Sequence, residues 1–129
     1  MAANRYPRFP LTPVATPVVI STANTNRDGT GTINTVITSG TDGTRVDGVR
    51  IQATGTTTAG VVRLFTYDGA TWRLLAEILV TAITPSTTIQ AWSYDWIPPV
   101  PLVLPTGVNL GASTHNAESF AVHPIAGSY

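Results

Sequence analysis

From residue 18 onward the chain reads as short apolar and β-branched runs. They are punctuated by Gly, Asp, Asn and Pro at about the 8–12-residue interval of a sandwich or barrel. The runs predict strands at Val18–Thr22, Thr32–Thr38, Arg45–Thr54, Gly60–Tyr67, Trp72–Val80, Thr88–Trp96, Leu102–Leu104 with Val108–Ser113, and Ser119–Ile125. The sharpest local signal is Asp68-Gly69-Ala70-Thr71 between two such runs, because Asp-Gly supplies the turn geometry a hairpin needs. In the run that follows, Trp72, Leu74, Ala76, Ile78 and Val80 alternate with Arg73 and Glu77, which predicts that the first set forms a core face. Asp47-Gly48 falls inside a strand pattern and predicts a bulge. No window holds the i, i+3, i+4, i+7 pattern free of Gly, Pro or β-branched runs, so almost no helix is expected.

The first sixteen residues follow another rule. Pro7, Pro10, Pro13 and Pro17 are spaced three, three and four apart, which suits an extended polyproline-like arm. Such an arm reaches on the order of 50 Å at about 3.1 Å per residue. Arg5, Tyr6, Arg8 and Phe9 lie between the prolines and are the residues expected to contact a partner. The division expected is an arm over residues 1–16 and a β-sandwich domain over residues 17–129.

Composition narrows the chemistry. The 129 residues are 43% hydrophobic but only 11% charged, and they contain no Cys, which excludes a disulfide framework, a thiolate metal site and a cysteine nucleophile. Seven cations balance seven acids, so nothing points to direct nucleic-acid binding or to a membrane surface. All seven cations are Arg, all at or before Arg73. A Lys-free, charge-poor surface has the composition of one made to be covered, since interfaces favour Arg over Lys. The N-terminus has no apolar targeting core, and the longest apolar stretch is interrupted by Glu77 and Thr81, so synthesis in a cytoplasm is expected.

Catalytic patterns are thin. His115 and His123 do not stand in a metal-binding spacing, no Gly-x-Ser-x-Gly elbow occurs, and Glu77 alternates with core positions as an outward residue. The reading is therefore a non-enzyme with no cofactor and no metal. Asn24-Thr25-Asn26-Arg27-Asp28-Gly29 imitates the start of a calcium loop. Its twelfth position would be Thr35 where an acid is required, so it reads as a turn. Trp92, Tyr94 and Trp96 alternate along one strand, a stripe suited to the core, to a subunit interface or to stacking on sugar rings.

The segment from Val46-Asp47-Gly48-Val49-Arg50-Ile51 through Gly60-Val61-Val62-Arg63-Leu64-Phe65 resembles small virion structural proteins of tailed bacteriophages. So do the Tyr67–Trp72 hairpin, Leu102-Val103-Leu104-Pro105-Thr106-Gly107 and Ala112-Ser113-Thr114-His115-Asn116-Ala117-Glu118. The likeness covers residues 46 to about 126. It implies a β-sandwich on the outside of a capsid, as a cement or decoration protein. The expectation is an eight-stranded antiparallel, jelly-roll-like sandwich that bridges neighbouring major capsid protein subunits and stabilises the DNA-filled head. Self-association as a homotrimer is expected, with a dimer as the alternative. The competing function is a carbohydrate-binding or structural module of a phage head or tail fibre, using Trp92, Tyr94 and Trp96.

Overall fold

A computed structural model describes residues 9–129, and these contain no helix. Arg5, Tyr6 and Arg8 lie outside the described residues. Ten strands follow in order: β1 (Thr12–Val14), β2 (Val18–Ile20), β3 (Asn34–Ile37), β4 (Thr44–Ala53), β5 (Gly60–Tyr67), β6 (Trp72–Val80), β7 (Ser93–Trp96), β8 (Leu102–Leu104), β9 (Asn109–Thr114) and β10 (Phe120–Ser128). All pair antiparallel, in two sheets. The four-stranded sheet has the order β3-β9-β5-β6. In the six-stranded sheet, β10 and β4 form the centre, β1 and β2 share one edge of β10, and β7 and β8 share the far edge of β4. Each sheet is therefore four strands wide, and the count is ten where eight were expected because both edges of the larger sheet are split. The inward residues of both sheets share one apolar core. Val46, Val49, Ile51, Phe120 and Val122 come from one sheet, and Val62, Leu64, Ile78, Leu110 and Ala112 from the other.

Several expected features change. The strand expected over Thr88–Trp96 is limited to Ser93–Trp96. Thr12–Val14 falls within the segment read as an arm, yet it pairs with Ala126–Ser128, so the ladder begins before Val18. Pro13 is tolerated because β1 is an edge strand whose missing N–H costs no ladder bond. Leu102–Leu104 and Val108–Ser113, read together, are strands of different sheets. The Pro105–Val108 turn, closed by Val108 N–H to the Pro105 carbonyl at 3.1 Å with Gly107 at positive φ, carries the chain across.

Bulges decide which residues face inward. Ile125 pairs with Gly48 but Ala126 with Val46, so Asp47 is an extra residue, at the place where a bulge is expected. A second bulge is not foreshadowed: Leu64 pairs with Ala76 and Phe65 with Leu74, leaving Leu75 extra. Ala76, Ile78 and Val80 face the shared core, whereas Trp72 and Leu74 turn to the opposite face with Phe65. The five-residue core face expected for this strand is thus cut to three.

Phe65 is fully buried although it points away from the shared core. Its cover is the β2–β3 connection, residues 21–33, which crosses the outer face of the four-stranded sheet. Asn24 N–H bonds the Thr114 carbonyl at 2.8 Å, and Gly29 approaches the Trp72 carbonyl so closely that a Cβ would collide with it. Trp72 lies over Gly111, where a Cβ would meet the indole at 2.6 Å. This strap gives the smaller sheet a second apolar layer. The six-stranded sheet has no equivalent among the described residues.

Candidate interaction surface

The outer face of the six-stranded sheet is built from the residues of β4, β7 and β10 that alternate with the core. Arg50 stands opposite Asp95 on one side and His123 on the other, and Arg45 stands between Gly127 and Val103. Arg50 binds Asp95 with Nη1 at 2.9 and 3.0 Å from the two carboxylate oxygens, and Arg45 Nε reaches Asp47 Oδ1 at 3.0 Å. These pairs are half-exposed, so they orient the side chains and add little stability. The Asp47 bulge opens a groove of about 420 Å³ here, lined by Asp47, Gly48, Asp95, Trp96, Ile97 and Ile125. Its apolar walls are uncovered: Ile97 is 71% and Ile125 51% exposed.

Beyond Trp96 the chain runs Ile97-Pro98-Pro99-Val100-Pro101, a ridge stiffened by three prolines. Its other side, with Leu75 and Ala76 of the β6 bulge and Val103, lines a second apolar groove of about 390 Å³. The two grooves therefore flank one ridge and share Trp96. From Ile97 to Ala117 no residue carries a formal charge.

The described part of the N-terminal segment enters beside this face. Leu11 N–H bonds the Ser128 carbonyl at 2.7 Å, and Pro10 lies over Gly127, where a Cβ would sit 2.5 Å from the proline Cβ. Phe9 and Leu11 are 78% and 75% exposed, so neither finds cover on its own domain.

The aromatic stripe points between the sheets at one end of the core. Trp92 is 6% exposed and packs edge-on against Phe120 at 5.7 Å, and its ring stacks with Tyr94 at 6.4 Å. Trp96 is partly buried against the core, and Tyr94, on the edge strand β7, is the exposed member. Of the three uses open to this stripe, Trp92 takes the core position.

The polar clusters are structural in geometry. Asn24 is buried, donates from Nδ2 to the Thr30 and Thr32 carbonyls at 3.0 Å each, and accepts Asn26 N–H on Oδ1. Its amide is thereby turned to the loop's own backbone, the turn expected of this string. Asp28 is held below the ordinary carboxylate range by the Thr30 hydroxyl and amide, and Asp68 by the Thr71 and Ala70 amides of the hairpin turn. Under the strap, Arg63 is 2% exposed, and its Nε donates to Glu77 Oε2 at 3.1 Å, which also takes Arg27 Nε at 2.8 Å. Hydrogen bonding from Arg27 is the main reason the Glu77 carboxyl titrates below its usual value, with Arg63 adding to it. Arg63 Nη1 also lies 3.4 Å from His115 Nδ1, while His123 belongs to the other sheet. Glu118 accepts Thr58 N–H at 2.8 Å. Among the described residues no group of three or more His, Cys, Asp or Glu converges on a point.

Arg63 is not among the site residues expected from the sequence. The signal was present: Val61-Val62 and Leu64-Phe65 put apolar residues on both faces of one strand, which indicates cover on both sides.

No protein-family model matches the chain, and no curated protein does. Two solved structures, each described as a pentameric capsid protein isolated from metagenomic phage sequences, are similar at TM-scores of 0.48 and 0.46, each with 20% identity. Both comparisons cover 91% of this chain, which spans 61% of one of those chains and 62% of the other.

Proposed function

We propose that the protein is a non-enzymatic structural component of a phage virion, acting as a cement or decoration protein on the outside of the capsid. The observation that carries this reading is the bare outer face of the six-stranded sheet. Ile97, Val100, Val103 and Ile125 are exposed on this face and along the ridge at its β7–β8 edge, and Phe9 and Leu11 are exposed ahead of β1 at the opposite edge. Contiguous exposed apolar surface on a small, neutral domain marks a face used in association. The strings that resemble phage virion proteins fall on β4 and β8, which build this face, and on β5, β9 and the β5–β6 turn of the other sheet, whose inward residues fill the core beneath it.

In this reading the sandwich is the stiff body, and several weak attachments act together, each raising the effective concentration of the next. Arg5, Tyr6, Arg8 and Phe9 contact the neighbouring major capsid protein or another copy of this chain, and the copies gather as a trimer, or as a dimer at local twofold axes. The test is copy number in purified particles together with co-sedimentation on capsids. About one copy per major capsid subunit is expected. Tens of copies per particle, with a glycan-array signal lost in Tyr94→Ala, the exposed member of the stripe, would instead select the carbohydrate-binding fibre module.

A further inference from the structure

We infer that the outer-face groove of one copy receives the N-terminal segment of a second copy, with Phe9 and Leu11 seated against Ile97 and Ile125. The inference deepens the proposed virion role by naming what takes up the arm, and it rests on that role for its purpose alone.

Three features support it. Among the large apolar side chains that the domain leaves uncovered are Phe9 with Leu11 on the arm and Ile97 with Ile125 in the groove. A groove of about 420 Å³ lies within the range of roughly 300–1,000 Å³ typical of pockets that bury a ligand group.

The second feature is direction. β1 runs antiparallel to β10, with Val14 beside Ala126 and Thr12 beside Ser128, so the chain upstream leaves at the Ser128 end. The groove opens at the level of Ile125 and Ile97, in the opposite direction along β10 and across β4. Phe9 stands three residues ahead of Thr12, so it projects roughly 10 Å past the end of β1 at about 3.3 Å per residue, away from its own groove and where a neighbouring copy can meet it.

The third is charge. Arg5 and Arg8 both precede Phe9 in the arm, and the groove is lined by Asp47 and Asp95, each about half exposed, together with Arg50. Each acid already binds one Arg, but a carboxylate has room for a second donor. Glu77 in this same protein takes Arg27 and Arg63 on one oxygen. Pro7 and Pro10 lower the ordering cost of such a segment, so a few contacts suffice to hold it.

Arm into groove is a head-to-tail contact, which closes a ring when the rotation between copies allows. The absence of Cys makes the test direct. Phe9→Cys and Ile97→Cys are made as separate single variants, both at exposed positions. The two are mixed at tens of micromolar, oxidised gently, and the disulfides are identified by mass spectrometry. A mixed 9–97 dimer is the expected product, and Ile125→Glu in the Ile97→Cys chain should lower its yield about tenfold, the equilibrium effect of roughly 1.4 kcal/mol. Only 9–9 or 97–97 products, or no crosslink, would overturn the inference. So would a double variant that closes within one chain while the mixture gives no mixed dimer, because the segment would then occupy its own groove. None of these outcomes depends on capsids, so failure of the virion reading would show separately, in co-sedimentation.

Discussion

The two sheets of this protein treat their outer faces in opposite ways. On the four-stranded sheet the face is closed over β9 and β5: residues 21–33 lie across it, Phe65 and Arg63 are buried there, and Trp72 fills the space over Gly111, while Leu79 of the edge strand β6 stays exposed. On the six-stranded sheet the face is open, with Ile125, Val103 and Val19 all more than half exposed. Strand composition alone does not separate the faces, since both sheets are rich in Val, Ile and Leu. The strap makes the difference: where the chain supplies its own cover the outer residues join a second core, and where it does not they remain available to a partner. One side is therefore sensitive to stability and the other to association, and substitutions should separate the two.

The largest effect is expected at Phe65. Phe65→Ala removes a fully buried ring from beneath the strap and should cost about 3–5 kcal/mol, read as a lower denaturation midpoint in urea. A change below about 1 kcal/mol would mean that the strap does not hold Phe65 in solution and that the two faces are alike. Next comes Gly111→Ala. Its Cβ would meet Trp72 at 2.6 Å and Ile33 at 2.9 Å, so overpacking should cost about 1–3 kcal/mol in the same measurement.

Truncation tests where the arm ends and the domain begins. Removing residues 2–9 leaves β1 intact and should not move the Tm, whereas removing residues 2–13 takes two of the three residues paired with β10 and should lower it. Equal melting temperatures for both would restore the whole of residues 1–16 to the arm.

Acid should act on the closed face. The Glu77 carboxyl is held below its usual value of about 4.3 by Arg27 and then Arg63. Because its folded-state pKa is depressed, the stabilisation is present above the unfolded value and is lost as pH falls through the folded one. The Tm should therefore decline with acidification in this window, and Glu77→Gln should flatten that part of the decline. An unchanged slope would place the acid sensitivity elsewhere, in Asp28 of the strap or Asp68 of the hairpin turn.

How much of this was legible in the sequence differs between the same two regions. The Asp68-Gly69 hairpin, the Asp47 bulge and the Asn24 turn could be read because Gly, Asp and Asn mark backbone conformations through local chemistry. The Leu75 bulge could not, since Leu74-Leu75-Ala76 is apolar at every step and an extra residue leaves no break in the pattern. The strand at Thr12–Val14 was hidden by the proline spacing, which suits an edge strand as well as an arm. The groove is non-local. Its residues come from β4, the β7–β8 connection and β10, and only the register of three strands brings Asp47, Ile97 and Ile125 together.

The smallest effect on stability should come from the open face, where it sharpens the comparison most. Ile125→Ser alters a side chain that is already half in water and makes no part of the shared core, so its stability change should stay within about 0.5 kcal/mol. If that face is only surface, nothing else should change. If it is an association face, light scattering on the isolated protein at tens of micromolar should show a shift toward monomer, and the shift should be reproduced by Phe9→Ser on the arm. Matching losses from residues that are apart in the described chain, with unaltered melting curves, are what an arm–groove contact between copies requires. A mass distribution identical to that of the unsubstituted protein in both variants would leave the open face without a partner of its own kind and direct the search to the major capsid protein.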